Sequence, residues 1–156
     1  MESIRRIRKT DLARNTRQVI NAVLRGQTVV IESHGQPEVA ILDIVDYRIV
    51  RAVMRYYAQR PEIDVKTGLA QDRVAAIPDL QDRLNLVLAH YLAGAISLGR
   101  AAELLNVPWL ELRTRFLRLD VPLRVAPASL DEARRDVEVL ESWTHVSDLN
   151  ALLDKP

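Results

Sequence analysis

The sequence predicts a two-domain α+β protein, in which a β-hairpin covered by helices precedes a small all-α module. Two short β-branched runs, residues 28–31 and 39–42, flank a strong turn sequence at residues 34–37. Helical periodicity and helix-ending residues dominate the rest of the chain. A lone two-stranded hairpin is marginal in water, so helices or a partner's strands must cover or extend it. This requirement favours a dimer.

Composition indicates a globular protein with an aliphatic core. Of the 156 residues, 48% are hydrophobic and only 4% are aromatic. The absence of cysteine excludes disulfides and thiolate metal sites and favours a reducing cytoplasm. No apolar run is long enough to span a bilayer, and the N-terminus lacks a signal-peptide core, so a cytoplasmic protein without a membrane partner is expected.

Charge is distributed unevenly between the two halves of the chain. Residues 1–60 contain 11 Lys/Arg and 6 Asp/Glu, whereas residues 61–156 contain 11 and 15. This asymmetry indicates a polyanionic partner for the front half and a basic or metal-bearing partner for the back half. Ordinary solvated surfaces would explain the same counts, so charge alone does not decide between the two interpretations.

The front half predicts three elements around the hairpin. Residues 3–9 form a short basic extended segment, and Thr10 or Asp11 caps a helix that Gly26 ends. After the hairpin, Asp43 caps a second helix. The apolar positions predicted for the two helices are Leu12, Val19, Ile20, Val23 and Leu24 in the first, and Ile49, Val50, Val53, Met54 and Tyr57 in the second.

The predicted domains divide the chain at a connector punctuated by proline and glycine. The first domain covers residues 1–60, the connector residues 61–77 and the helical module residues 78–143, followed by a tail at 144–156. Within the module, helices capped by Asp79 and Ser97 precede the last predicted helix at 130–143.

A helix-turn-helix pattern lies in the back half. Residues 98–105 form one helix, residues 106–108 (Asn-Val-Pro) form the turn, and a second helix follows. Its apolar face predicts Trp109 as a core residue, while its polar face could enter the major groove. Because most helical hairpins do not bind DNA, a packing or interaction module ranks slightly ahead of a groove reader. The residues that would face DNA or a partner are Arg113, Thr114 and Arg118.

The first 25 residues carry the clearest signal for nucleic acid. Seven basic groups surround the start of the first helix, against only two acidic residues. Such side chains would serve as phosphate contacts, with strongly salt-dependent affinity. A solvated edge is an equal alternative on composition alone. The seven are Arg5, Arg6, Arg8, Lys9, Arg14, Arg17 and Arg25.

No catalytic signature is present in the sequence, and no enzyme, metal or cofactor is predicted. His34, His90 and His145 have no metal-ligand spacing. The sequence also lacks a glycine-rich phosphate loop, a nucleophile elbow and a paired-carboxylate motif.

The front half resembles the Phd/YefM family of type II antitoxins over about residues 3–57. The resemblance implies a dimerising α/β domain that binds operator DNA through basic residues near the N-terminus. It rests on residues 11–15, Arg25-Gly26, residues 29–31, 34–37 and 39–42, and Asp46-Tyr47. The DNA-binding residues that it implies are Arg5, Arg6, Arg8, Lys9, Thr10, Arg14 and Arg17.

The back half, about residues 77–140, is similar to a small helix-turn-helix antitoxin-like family found beside PIN-domain nucleases. The matching segments are residues 94–105, 121–123 and 130–132. Together the two resemblances imply an antitoxin that neutralises a PIN-like, metal-dependent ribonuclease and represses its own operon, as a homodimer or higher oligomer. Arg134 or Arg135 would engage the toxin's carboxylates. The alternative is a stand-alone DNA-binding regulator without a toxin partner.

Overall fold

The computed structural model describes residues 4–124 together with Arg134, Val137 and Glu138. It is a mixed α+β protein in which a three-stranded sheet is followed by helices. In the described ranges, none of the helices has the length and apolar character needed to cross a membrane. The elements are β1 (Ile4–Arg8), α1 (Lys9–Leu24), β2 (Thr28–Ser33), β3 (Gln36–Ile41), α2 (Ile44–Gln59), α3 (Gln71–Ala75), α4 (Leu80–Ala93), α5 (Leu98–Leu105) and α6 (Trp109–Arg118).

The predicted hairpin is confirmed as β2 and β3, which pair antiparallel. His34 and Gly35 form its turn with φ of 52° and 75°, the two positive values that a type I′ connection requires. Pro37 lies in β3, an edge strand, which is where a sheet tolerates proline. The extended segment predicted at residues 3–9 is also confirmed, as β1, which pairs parallel to β2.

A small core joins the sheet to α1. Val19 and Val23 of the helix are buried against Val29 and Ile31 of the central strand. The prediction that Ile20 and Leu24 are buried is wrong, since they are 51% and 71% exposed. A three-stranded sheet is narrow, so α1 buries only a narrow stripe of side chains against it.

A second, larger core involves the remaining helices. Ile49 and Ala52 of α2 pack with Leu84 and Leu88 of α4 in this core. Residues of the predicted connector are buried there too. By its packing, α2 therefore belongs with the helices that follow it. The predicted domain limits stay predictions, and the end of the module, with the tail, lies almost entirely outside the described residues.

The prediction for the outer part of the α2 apolar stripe is also wrong in detail. Ile49 is fully buried and Val53 packs partly against the larger core. Met54 and Tyr57 are 66% and 52% exposed. Residues 53 and 54 are neighbours on a helix, so about 100° separates their side chains, and a single packed neighbour cannot cover both.

Three predicted N-caps are confirmed by hydrogen bonds. Asp43 and Asp79 each accept from the backbone N–H three residues on, at 2.8 and 2.9 Å, and Ser97 accepts from the N–H of Arg100. The N-cap predicted at Thr10 or Asp11 is wrong. Helix α1 begins at Lys9, and its N-cap Arg8 makes no side-chain cap bond, because β1 runs directly into the helix.

Candidate nucleic-acid interface

The N-terminal basic residues lie along β1 and the first turn of α1. Strand β1 is an edge of the sheet, and the side chains of Arg5, Arg6 and Arg8 are all exposed. Lys9 and Thr10 continue this exposed stretch at the start of α1. Because side chains alternate along a strand, Arg6 and Arg8 lie on one face of the sheet and Arg5 on the other. The predicted set is therefore contiguous along the chain but divided between two faces.

Several of these cations already have carboxylate partners within the molecule. Arg6 Nη1 lies 2.8 Å from Glu32 Oε1, and Lys9 Nζ lies 3.2 Å from Glu38 Oε2. Arg8 Nε is paired with Asp11 Oδ2 at 2.7 Å. Exposed ion pairs contribute at most about 1 kcal/mol, so a polyanion can compete for these cations. The nearby carboxylates would nonetheless weaken phosphate binding at this edge.

Two further predicted contacts, Arg14 and Arg17, are exposed on α1. Neither has an ion-pair partner within residues 4–124. Between them, Asn15 departs from helical geometry, with φ of −114° and ψ of 15°, and its side-chain amide donates to the Asp11 carbonyl at 3.0 Å. Together with Arg5, these two arginines are the predicted phosphate contacts that have no ion pair within residues 4–124.

Sequence reasoning missed a second set of free cations on α2. Residues 47–60 contain four arginines and no carboxylate side chain. The guanidinium carbon of Arg51 lies 5.8 Å from the centroid of the Tyr47 ring, within the range of a cation–π contact. The charge count over these fourteen residues is the signal in the sequence, and the apolar stripe of the same helix obscures it. The four are Arg48, Arg51, Arg55 and Arg60.

The turn predicted at residues 106–108 joins α5 to α6 in the structure. Helix α5 ends at Asn106, which has a left-handed conformation with φ of 53°, and Pro108 is the N-cap of α6. Leu112 and Phe116 of α6 are buried, and Trp109 packs partly against the same core. Two helices packed across such a turn define the motif's shape, while its ability to read DNA depends on the outward side chains of α6.

Those outward side chains do not form one free cationic face. The guanidinium carbon of Arg113 lies 5.9 Å from the Trp109 ring centroid. The Thr114 hydroxyl donates to the Leu110 carbonyl at 2.8 Å. Arg118 is only 16% exposed in its side chain, and its Nη2 lies 2.7 Å from Asp46 Oδ2. Arg118 would have to break its ion pair with the buried Asp46 carboxylate to contact DNA. Arg113 and Thr114 are therefore the remaining candidates.

Arg118 belongs to an ion-pair cluster that fastens α6 to the start of α2. The other members are Arg115, Asp43 and Asp46, and Asp46 is just 3% exposed. Arg115 Nη1 lies 2.7 Å from both Asp43 Oδ2 and Asp46 Oδ1. Burial by itself would lower the pKa of Arg115, but hydrogen bonds with the two aspartates outweigh it and raise the pKa. The guanidinium therefore stays charged inside this junction.

Asp43 makes the cluster sensitive to acid. Burial alone would raise the pKa of this carboxyl, but the Asp46 N–H and the Arg115 guanidinium together lower it below its usual 3.8. A carboxyl with a depressed folded-state pKa stabilises the fold above its unfolded pKa, and this stabilisation is lost as pH falls through the folded value.

The acid sensitivity of Asp43 leads to a prediction for Asp43→Asn. Asparagine keeps the N-cap but removes the titrating charge. We expect the stability difference between wild type and variant to be constant above about pH 4 and to shrink below it. Urea unfolding of both proteins across this range checks the expectation. A difference that stays constant or grows on acidification would contradict it.

A cleft of about 420 Å³ lies between the end of α1 and α6. Arg118 reaches across it, since a Cβ added to Gly26 would meet Arg118 Nη1 at 2.6 Å. Gly26 also has a φ of 91°, so this position favours glycine for its backbone conformation. The cleft brings the sheet unit, α2 and α6 together at one charged junction.

The remaining predicted site residues are Arg134 and Arg135. Arg134 is helical and exposed, whereas Arg135 lies outside the described residues. Within the described part of the chain, no group of three or more His, Asp or Glu side chains could hold a metal ion.

Comparison with known proteins found no matching protein-family model, no similar curated protein and no similar solved structure. Fold and site alone therefore define the class: a mixed α+β protein with exposed arginines on its N-terminal unit and a helical hairpin in its C-terminal part.

Proposed function

We propose that this protein is a type II antitoxin that binds its own operator DNA as a transcriptional autorepressor and neutralises a PIN-like ribonuclease. The observation that carries the DNA-binding part is the exposure of Arg14 and Arg17 on α1, without carboxylate partners among residues 4–124. They lie on the helix that directly follows β1 and its exposed cations, so one duplex could contact both elements. Phosphate contacts of this kind fix position, whereas sequence is read where side chains reach base edges.

The proposal requires a homodimer, since a two-fold protein matches two half-sites about one helical turn apart. Support comes from edge strand β3, whose apolar side chain Val39 is 55% exposed. Both outer edges of the sheet also lack a neighbouring strand among the described elements. A second copy could cover these groups.

The toxin-binding part of the proposal rests on the two resemblances, with Arg134 and Arg135 as the proposed toxin contacts. A stand-alone regulator is the alternative. It is favoured by the extensive packing of α2 to α6, because residues up to Leu123 contribute to a folded core and leave less free chain to wrap around a toxin. A pull-down from the native host separates the two functions. Co-purification of a small nuclease supports the antitoxin, and its absence supports the regulator.

Replacing Arg14 and Arg17 together by alanine should weaken binding to the DNA upstream of the gene. Each lost phosphate contact removes about one counterion from the binding equilibrium, so the slope of log K against log salt should flatten by about 2. A salt-titrated gel-shift assay measures both quantities. Arg73→Ala, an exposed arginine of α3, is the control and should change neither. Unchanged affinity and slope in the double variant would count against this interface.

A further inference from the structure

We propose that the outer face of α2 is a second DNA-contacting surface, which binds the phosphate backbone of a duplex through Arg51, Arg55 and Arg60, with Arg48 beside them. This four-arginine set is called the α2 cationic face. The inference rests on the proposed DNA binding but assigns it to an additional element. It is tested separately from the N-terminal residues.

Charge balance is the first argument. The α2 cationic face has no carboxylate within the same fourteen residues, 47–60. In residues 4–124, none of its arginines has an ion-pair partner within 4.0 Å. The N-terminal edge is different, because Arg6, Arg8 and Lys9 are each paired with a carboxylate. Four N-terminal arginines also lack an ion pair in these residues, so the α2 cationic face carries as much unpaired charge as the N-terminal segment, within fourteen consecutive residues.

The packing of α2 fixes the direction of these arginines. Its inner face is locked into the larger core by Ile49 and Ala52, which are 0% and 1% exposed. The helix cannot rotate without exposing that core, so the side chains of Arg51 and Arg55 stay exposed to solvent beside the buried stripe. These two arginines are one helical turn apart, about 6 Å along the axis. A row of outward guanidinium groups is thus presented by a rigid element.

Local contacts order part of this row. Arg51 lies over the ring of Tyr47, which is itself 48% exposed. Such a contact holds the guanidinium near the surface and leaves its N–H groups free to donate. Binding a phosphate there would cost less side-chain entropy than at an unrestrained arginine.

Duplex DNA fits this surface better than an acidic protein. Like charges in a row repel one another. A duplex has regularly repeated phosphates, so it can neutralise the whole row at once. Its binding also releases counterions, which favours association. A protein partner would have to bury each guanidinium against its own matched carboxylate, with a desolvation cost at every pair. The exposed Met54 between the arginines is compatible with a protein interface, so an acidic protein is retained as an outcome of the test.

The test compares two charge-reversed variants with the same net charge. Arg51→Glu combined with Arg55→Glu removes the centre of the α2 cationic face. Lys66→Glu combined with Arg73→Glu makes the same charge change at exposed positions in the connector and α3. The full-length proteins are titrated with a fluorescent duplex of about 30 base pairs of arbitrary sequence at several salt concentrations. Circular dichroism and urea unfolding verify that both variants fold like wild type.

The α2 variant should bind at least about tenfold more weakly than wild type at low salt, with a salt slope shallower by about 2. The affinity of the matched control for the duplex should stay within about threefold of the wild-type affinity, since this variant changes only long-range charge. Equal losses in the two variants, or no loss in the α2 variant, would overturn the inference. So would retained duplex binding together with loss of a co-purifying acidic protein.

The design separates this inference from the proposed function. If wild type fails to bind any duplex at low salt, the DNA-binding part of the proposed function fails, and the α2 inference with it. Binding that is lost on replacing Arg14 and Arg17 but kept in the α2 variant overturns the α2 inference alone. Binding lost in the α2 variant but kept without Arg14 and Arg17 supports α2 and rejects the N-terminal interface.

Discussion

Replacing Asp46 by alanine should lower the free energy of unfolding by about 3–5 kcal/mol. Asp46 is 3% exposed, and its two carboxylate oxygens accept from Arg115 and Arg118 at 2.7 and 2.8 Å. Removing this carboxylate leaves the Arg118 guanidinium, 16% exposed, with Asp43 as its nearest acidic neighbour at 3.8 Å. A partly buried cation that loses its closest counter-charge costs far more than an exposed pair that is broken.

Urea unfolding measures this loss directly. Glu111→Ala is the matched control, because Glu111 also contacts Arg115, at 3.0 Å, but is 47% exposed in its side chain. The control should cost less than about 1 kcal/mol. Equal and small losses in both variants would show that the cluster contributes little, and that α6 is held to α2 by apolar packing alone.

Ile49→Ala should cost about 2–5 kcal/mol, because it removes a fully buried side chain and leaves a cavity between α2 and α4. The effect should reach distant residues. Trp109 of α6 packs against the same core, so in a Trp143→Phe background the unfolding transition seen by tryptophan fluorescence should shift together with the one seen by circular dichroism. This coincidence is expected only if α2 folds with the helices that follow it.

Met54→Ala is the control on the same helix, and its 66% exposure predicts a change within about 0.5 kcal/mol. If the unfolding transition seen by fluorescence does not shift in the Ile49→Ala variant, the joint packing of α2 and α6 would be contradicted. It would instead favour a first domain that ends at residue 60, as the sequence predicts.

Local patterns were sufficient to predict most of the elements. The turn at His34 and Gly35 and the caps at Asp43, Asp79 and Ser97 are encoded by residues adjacent in sequence, and the structure confirms them. The predicted start of α1 is wrong because the parallel pairing of β1 with β2 depends on residues more than twenty positions apart. Local cap chemistry carries no information about that pairing.

The candidate site was harder to predict than the elements. Sequence spacing placed Arg118 on the polar face of its helix, but Asp46, 72 residues away, draws it into the interior. In the same way, Glu32 and Glu38 pair with N-terminal cations that had looked free. Charge partners are set by tertiary contacts, so a count of basic residues overestimates the free charge at the N-terminus and overlooks it on α2.

Helix α2 takes part in the ion-pair cluster, in the larger core and in the proposed DNA-contacting surface. Its N-terminal carboxylates hold α6, its inner face completes the larger core, and Arg51 and Arg55 are exposed on it, with Arg60 at its C-cap. A helix so constrained can present cations in a fixed geometry. Rigid presentation of charge favours nucleic-acid binding, since less conformational entropy is lost on association.

The most direct measurement is the affinity of the full-length protein for the DNA upstream of its gene, titrated with salt. Log K should fall linearly with log salt, with a slope of about −0.9 for each phosphate contacted. Substitutions on α1 and on α2 should each flatten that slope. An affinity that does not depend on salt, or no detectable binding at about 50 mM salt, would contradict the assignment of these arginines to a nucleic-acid surface.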